Sequence, residues 1–427
     1  MKKISQYYFQ ASSLITTGNM QSVITIFGNL AAAAFSALSI ILISRKMGPT
    51  LFGEFSTAFA LVLILNKLND LGLSITAQNV LSTALKDKTK TNTLSRELFT
   101  LRIILTGVVL VIFLPLSPLL TKVLDISNPY LVPFAIVFGS SMVYFEYLMS
   151  LLQGIHRFYQ AIFANMLQAI GKFLLAFAYV VVAPSFVITF VLYVAIPVVP
   201  LLFAKKLLPR WLTPLKISYS FKHMNEILAI SKHTAITILA GAVIQNIGVL
   251  FVKGYLNSFD AGIFGGVSRI ALLFSIIGVS LTQVLYPRVS QYKMKQDILS
   301  FIKKSIYLVM AAILCFIALI PFSQLLIVLV LGGEYISGTQ ALMFLLLGEF
   351  FFIATAPFSA LFFSFEKEKY FSISGIGQLI TTFVLNIMFI PMFGLVGAAL
   401  ASLLTKMAIF VFTILYAKSS YHEKFAK

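Results

Sequence analysis

Lys172, Arg269, Lys406 and Glu349 stand inside stretches of sequence that are otherwise almost wholly apolar, and Lys67, Arg102, Glu54, Asp70 and Glu146 stand nearer the ends of such stretches. A charge far from water costs several kcal/mol unless it meets a partner or a water-filled cavity, so residues of this kind mark binding or conduction. Basic groups in a low-dielectric cleft attract an anion and focus the potential upon it. Arg holds phosphate through a bidentate fork, and Lys supplies a point charge. Glu349, Asp70 and Glu146 are the candidate acids for ion coupling: Glu349 is the deepest, suited to coupling a proton or cation if desolvated and equally suited to pairing with a base, and Asp70 and Glu146 lie toward the cytoplasm. Asn29, Gln168, Gln245, Asn246, Gln378 and Asn386 add amides that suit a hydroxyl-rich ligand or join helices. Covalent chemistry finds no comparable support. His156, His223, His233 and His422 are scattered without metal-ligand spacing. The segments GGEY (332–335) and FGG (264–266) lack the lysine and context of a nucleotide-binding loop.

The elements that carry these residues must lie in lipid. Hydrophobic residues make up 59% of the chain and charged residues 11%, where a soluble domain has about a quarter charged. Twelve spans are expected at 17–44, 51–76, 98–118, 130–152, 161–181, 186–204, 230–251, 262–285, 303–325, 339–363, 371–390 and 394–416. Each reaches across an apolar slab of about 30 Å. With the amino terminus in the cytoplasm, 23 of the Lys and Arg residues fall on the cytoplasmic face and 4 on the other, Arg45, Lys46, Lys122 and Lys253. That bias puts both termini in the cytoplasm. It also accounts for the net charge of +18 through topology and lipid headgroups, with no nucleic-acid partner required. The start, MKKISQYYFQASSLITTGNM, shows no apolar region leading to a cleavage site, so the first span is expected to direct insertion. The single cysteine, Cys315, rules out an intramolecular disulfide.

The spans divide six and six around 205–229, giving an amino-terminal lobe at 1–204, a cytoplasmic linker and a carboxyl-terminal lobe at 230–427. The halves echo one another. LFGEFSTA (51–58) and IFGGVSRI (263–270) share Phe-Gly-x-x-Ser at an offset of 212, and Gln168 and Gln378 recur at 210. Parallel repeats of six helices are a transporter plan, with two bundles rocking about a central cavity. Near the cytoplasm, Arg102 reads as a base that snorkels to the interface, and Lys67 as either a snorkelling base or the partner of Asp70 one turn away.

The stretch LISRKMGPTLFGEFSTAFALVLILNKLNDLGL (42–73) resembles the start of bacterial polysaccharide flippases of the Wzx (O-antigen) type. LLQGIHRFYQAIFANM (151–166), DAGIFGGVSRIALLFSIIGVSLTQVLYPRVSQ (260–291) and GLVGAALASLLTKM (394–407) are similar to the same family. Its superfamily also holds lipid II flippases and multidrug and toxin extruders. The resemblance implies an all-α protein of the bacterial cytoplasmic membrane. It implies export of an undecaprenyl-diphosphate-linked oligosaccharide from the inner to the outer leaflet by alternating access, without a cofactor, driven by a proton or cation gradient if coupled at all. A polysaccharide polymerase and glycosyltransferases are the partners this setting suggests. Cationic lumen residues meet the diphosphate in such proteins, and the matched bases are Arg45 and Arg269 foremost, with Lys172, Lys406 and Lys67. Two other readings stay open: an ion-coupled drug or metabolite antiporter of the same fold, and a membrane glycosyltransferase or polymerase. The last needs a catalytic cluster on the outer face, where Asp125, Asp260 and Glu334 are widely separated.

Overall fold

The computed structural model describes the backbone of residues 2–425 apart from 183–184, 219, 290–291, 293, 366 and 368. Side chains are described from residue 27 onward, apart from those eight residues and 221–223, 233, 277, 279–280, 282–284, 286–288, 315, 363, 369 and 425. The side chains of His223, His233 and Cys315 therefore lie outside the described residues. The described elements are helical: α1 (Lys2–Asp70), α2 (Leu73–Ala84), α3 (Lys88–Val123), α4 (Leu131–Gly154), α5 (Phe158–Val182), α6 (Phe186–Ala195), α7 (Val199–Leu202), α8 (Ala204–Leu207), α9 (Phe221–Tyr255), α10 (Ser258–Val289), α11 (Lys295–Leu319), α12 (Ser323–Val330), α13 (Thr339–Ser364) and α14 (Lys369–Phe425). Local sequence sets the boundaries. The Asp87 carboxylate accepts from the backbone N–H groups of Thr89 and Lys90 at 2.9 and 3.0 Å and so starts α3. Asn257 starts α10 in the same way, accepting from the Asp260 N–H at 2.9 Å while its amide donates to the Asp260 carboxylate at 2.8 Å.

Among the described residues nine stretches are long and apolar enough to cross a bilayer, where twelve are expected from the sequence. Two of the nine are far longer than a crossing needs. Phe27–Asp70 has 44 residues and Tyr370–Lys424 has 55, about 66 and 83 Å at the helical rise, against an apolar slab of about 30 Å. Each holds a non-helical glycine, Gly48 (φ 68, ψ 171) and Gly394 (φ 56, ψ −136). These left-handed positions exclude most side chains. At Gly394 the chain doubles back: a Cβ on Gly397 would collide with the Phe389 carbonyl oxygen, and the Thr382 hydroxyl donates to Thr405 across the hairpin at 3.5 Å. The sixth expected span is the shorter apolar stretch Phe186–Leu202, broken by a 3-10 turn at Ile196–Val198 around Pro197.

The chain forms two compact units. The first comprises Met1–Ile43, Gly72–Leu114 and Ile136–Lys232, and the second Ser44–Leu71, Pro115–Ala135 and His233–Lys427. These boundaries do not follow the 1–204 and 230–427 division, because residues 44–71 and 115–135 pack with the carboxyl-terminal helices. In the first unit a core of Leu73, Leu98, Phe145, Leu151 and Leu152 is continuous with Ala204, Leu212 and Ile227. In the second, α13 packs chiefly on α14 and α10.

Inside the second unit, the two echoing segments pack against each other. A Cβ on Gly53 would collide with the Ser258 carbonyl oxygen and lie 2.9 Å from the Gly262 nitrogen, and one on Gly262 would collide with the Pro49 carbonyl oxygen. A Cβ on Gly265 would come within 2.8 Å of the Ser56 hydroxyl oxygen. The recurring Phe-Gly-x-x-Ser thus marks two helices that approach backbone to backbone, as small residues allow in lipid. Gly262→Ala should lower stability by about 1–3 kcal/mol through overpacking. Gly375→Ala, where nothing lies within 4 Å, should not lower it and should raise it by up to about 1 kcal/mol. Thermal unfolding in detergent compares the two.

Candidate functional site: a polar cavity in the second unit

Five helical segments of the second unit enclose a cavity of about 80 Å³, room for several water molecules. Helix α9 contributes Gln245, α10 Ser268, α13 Glu349, the first arm of α14 Gln378 and Asn386, and its second arm Lys406. The Lys406 ammonium donates to Glu349 Oε1 at 2.5 Å, and the Ser275 hydroxyl donates to Oε2 at 2.6 Å. The Glu349 side chain is 3% exposed and that of Lys406 17%. Gly348 eases the approach, since a Cβ there would sit 3.3 Å from Lys406 Cδ, a tight contact. A buried pair of this kind holds together because separation would leave a bare charge in low dielectric.

Two polar atoms along this wall lack a hydrogen-bond partner among the described residues, Ser268 Oγ and Asn386 Oδ1. The Asn386 amide donates to the Thr382 carbonyl at 2.7 Å, which leaves its oxygen as an open acceptor. A second cavity, of about 160 Å³, shares Gln378 and Lys406 with the first and adds Phe352, Tyr370, Phe371 and Ser374. Lys406 therefore sits at the junction of a hydroxyl-and-amide wall and an aromatic one.

Of the residues expected from the sequence, the structure brings Gln245, Gln378, Glu349 and Lys406 together. Asn246 is buried on the same helix, its amide donating to the Ala242 carbonyl at 2.8 Å, and is not in the cavity wall. The Arg269 guanidinium lies 5.5 Å from the centroid of the Phe59 ring. Arg45 is exposed and donates to the carbonyls of Val330 at 2.9 Å, Val328 at 3.2 Å and Leu329, so it caps the C-terminus of α12. In the first unit Lys172 is buried with its ammonium 5.0 Å from the Tyr193 ring centroid, and the Tyr193 hydroxyl is 3.2 Å from Ser39. Gln168 is half-buried one turn earlier on α5, and Glu146 is half-buried on α4. Lys67 is half-buried and Asp70 buried at the end of α1, both in the second unit.

One base departs from expectation and a second is covered by a network. Arg102 does not snorkel: it is fully buried, donating to the Val143 carbonyl at 3.3 Å and to Ser74 at 2.9 Å, with its guanidinium 5.2 Å from the Tyr147 ring centroid. Lys253, counted among the outer-face charges, is 2% exposed and pairs with buried Glu54 at 3.5 Å. It also donates to the Asp125 carbonyl at 2.5 Å and to Ser258 at 2.7 Å. Ser258 in turn donates to Glu54 at 2.7 Å, and the Ser127 hydroxyl and N–H donate to it at 3.1 and 3.2 Å. Nothing in the spacing of residues 54, 127, 253 and 258 marks this network. The glycine echo beside it is the one signal that the two segments meet.

Among the described residues no group of three His, Cys, Asp or Glu side chains could hold a metal ion. The fold is shared with solved transporters. An inward-facing multidrug resistance MATE family transporter of the MOP superfamily superposes with a TM-score of 0.77 at 14% identity, over 92% of this chain and 95% of that one. The lipid II flippase MurJ in an inward closed conformation gives 0.77 at 14%, over 94% and 90%. A MOP superfamily transporter from Pyrococcus furiosus, described by the reverse polarity of its binding pocket, gives 0.61 at 16%, over 94% and 95%. No curated protein sequence matches the chain. The architecture is that of an all-α, multi-pass membrane protein. The family described as "Polysaccharide biosynthesis protein" matches residues 21–293, more than half of the sequence, and the chain belongs to that family.

Proposed function

We propose that the protein flips an undecaprenyl-diphosphate-linked oligosaccharide from the cytoplasmic to the outer leaflet of the bacterial inner membrane, by alternating access, in the synthesis of a surface polysaccharide. The observation that carries this reading is a lysine held in a polar cavity within apolar helices, in a chain of the polysaccharide biosynthesis family. A diphosphate cannot cross hydrocarbon unaided, and a lysine in a cleft of amides and hydroxyls offers its phosphate oxygens a partner while the amides meet sugar hydroxyls. The prenyl tail stays in lipid. The likeness in fold to a lipid II flippase supports a lipid-linked cargo. Each unit carries a deep base, Lys172 and Lys406, that we propose meets the diphosphate during transport. Arg269 and Lys67 are basic groups in support, and Arg45 anchors α12 as well.

Twelve crossings in two parallel sets of six remain the proposed topology. Splitting the two long stretches at Gly48 and Gly394 and adding Phe186–Leu202 brings the nine to that number. The bias of 23 bases against 4 favours both termini in the cytoplasm. Coupling to a proton or cation is proposed, with Glu349 the acid concerned. The second reading, an ion-coupled drug antiporter, draws on the multidrug transporters of the same fold and requires an acid free to meet a cation; Glu349 is committed to Lys406.

Depleting the protein in the producing bacterium should accumulate lipid-linked oligosaccharide protected from a membrane-impermeant glycosidase added outside. Accumulation in a glycosidase-sensitive form would place the block after translocation and contradict the assignment.

A further inference from the structure

The cavity holds one cation that two anions could claim. We propose that Lys406 is the anion-binding group of the second unit and that Glu349 is its proton-operated counterion. With Glu349 ionised, Lys406 is neutralised internally and the cavity refuses phosphate. With Glu349 protonated, Lys406 is released to a phosphate oxygen of a phosphorylated, hydroxyl-rich headgroup. This rests on the flippase reading and adds to it a proton-regulated site.

Geometry gives the switch its parts. Glu349 and Lys406 are the ionisable side chains of the first cavity among the described residues, so neither has a substitute there. Among the described residues, Gln245, Ser268 and Ser275 face the pair from α9 and α10, and Gln378 and Asn386 from the first arm of α14. From α11, Phe316 meets Phe350 beside Glu349. Arg269, on α10, sits over Phe59 and not in the cavity wall. In the second cavity the further titratable group is Tyr370, whose hydroxyl is hydrogen-bonded with Thr413.

Lys406 is paired before and after, so neither state leaves a lone ammonium in low dielectric. Protonated Glu349 keeps its hydrogen bond to Ser275, because a hydroxyl that donates to a carboxylate can accept from a carboxylic acid. The four-carbon lysine stem allows the ammonium to turn from Glu349 toward the second cavity, which it already lines. Asn386 Oδ1, the open acceptor, suits a donor such as a sugar hydroxyl. Linkage then fixes the stoichiometry: anion binding at Lys406 draws one proton onto Glu349, and acid strengthens binding.

The test is calorimetric titration of the full chain in detergent with inorganic pyrophosphate, in buffers of differing ionisation enthalpy, at a pH where the ligand itself does not titrate. The wild type should take up about one proton per pyrophosphate bound. Glu349→Gln should bind with no uptake and roughly tenfold tighter at alkaline pH, a shift of about 1.4 kcal/mol. Lys406→Gln should not bind. If Glu349→Gln fails to fold, the wild-type proton count decides alone. Binding without proton uptake in the wild type, or equal uptake in wild type and Glu349→Gln, overturns the switch. Proton-linked pyrophosphate binding in a protein that moves no polyprenyl-diphosphate sugar in vesicles would retain the switch and remove the flippase reading. Transfer of that lipid with proton-independent binding would do the reverse.

Discussion

Lys253→Met should destabilise the protein by about 3–5 kcal/mol, because it strands a buried carboxylate. Glu54 is 4% exposed and would keep only the neutral donors of Ser127 and Ser258. The same substitution orphans the Asp125 carbonyl that Lys253 now satisfies. Glu54→Gln alone should cost a comparable amount, since it leaves the ammonium without its main counterion. The double variant Glu54→Gln, Lys253→Met should recover much of the loss, the pattern expected of residues that act as a unit. Thermal unfolding in detergent, read as a double-mutant cycle, measures the coupling. Additive losses would show that the pair is incidental to the packing of residues 44–71 with the carboxyl-terminal helices.

Lys406→Gln should slow transfer of lipid-linked diphosphate between leaflets roughly 10- to 100-fold, the worth of one charged hydrogen bond. Abundance needs checking in the same membranes, because Glu349 is then buried without its base. Glu349→Gln, Lys406→Gln removes both charges and should insert normally while transferring as poorly as the single variant. Lys406→Arg should retain more activity than Lys406→Gln if the contact is mainly Coulombic. Arg45→Gln should show a smaller transport loss, with any deficit appearing as weaker anchoring of α12, since three carbonyls already occupy the guanidinium. An undiminished rate in the Lys406→Gln protein would remove this residue from the transport machinery.

Composition and apolar run length made the membrane class legible, because lipid tolerates little besides apolar helices. Span number was less direct. Gly48 and Gly394 let the chain turn with no polar loop, so two expected spans merge into one helical run on each occasion. Depth of charge singled out Glu349 and Lys406, but not that they pair: 57 positions separate them, and the hairpin at Gly394 brings the second arm of α14 back toward the cavity. Arg102 departs from the snorkelling expectation, and the pairing of Lys253 is not legible in the sequence, for a common reason. Distance from a span's end measures access to water only if nothing else covers the side chain. Tyr147 covers Arg102, and Glu54, Ser258 and the Asp125 carbonyl cover Lys253. Ser275 carried no signal, being one small hydroxyl in an apolar run whose role depends on the carboxylate opposite it.

The most direct measurement is leaflet transfer by the purified protein in vesicles carrying a fluorescent undecaprenyl-diphosphate sugar on one leaflet, with a proton gradient imposed. The rate should exceed that of protein-free vesicles, rise when the side from which the sugar is taken is made acidic, and fall in the Lys406→Gln protein. Transfer no faster than in protein-free vesicles, from a preparation shown to be inserted and folded, would contradict the assignment.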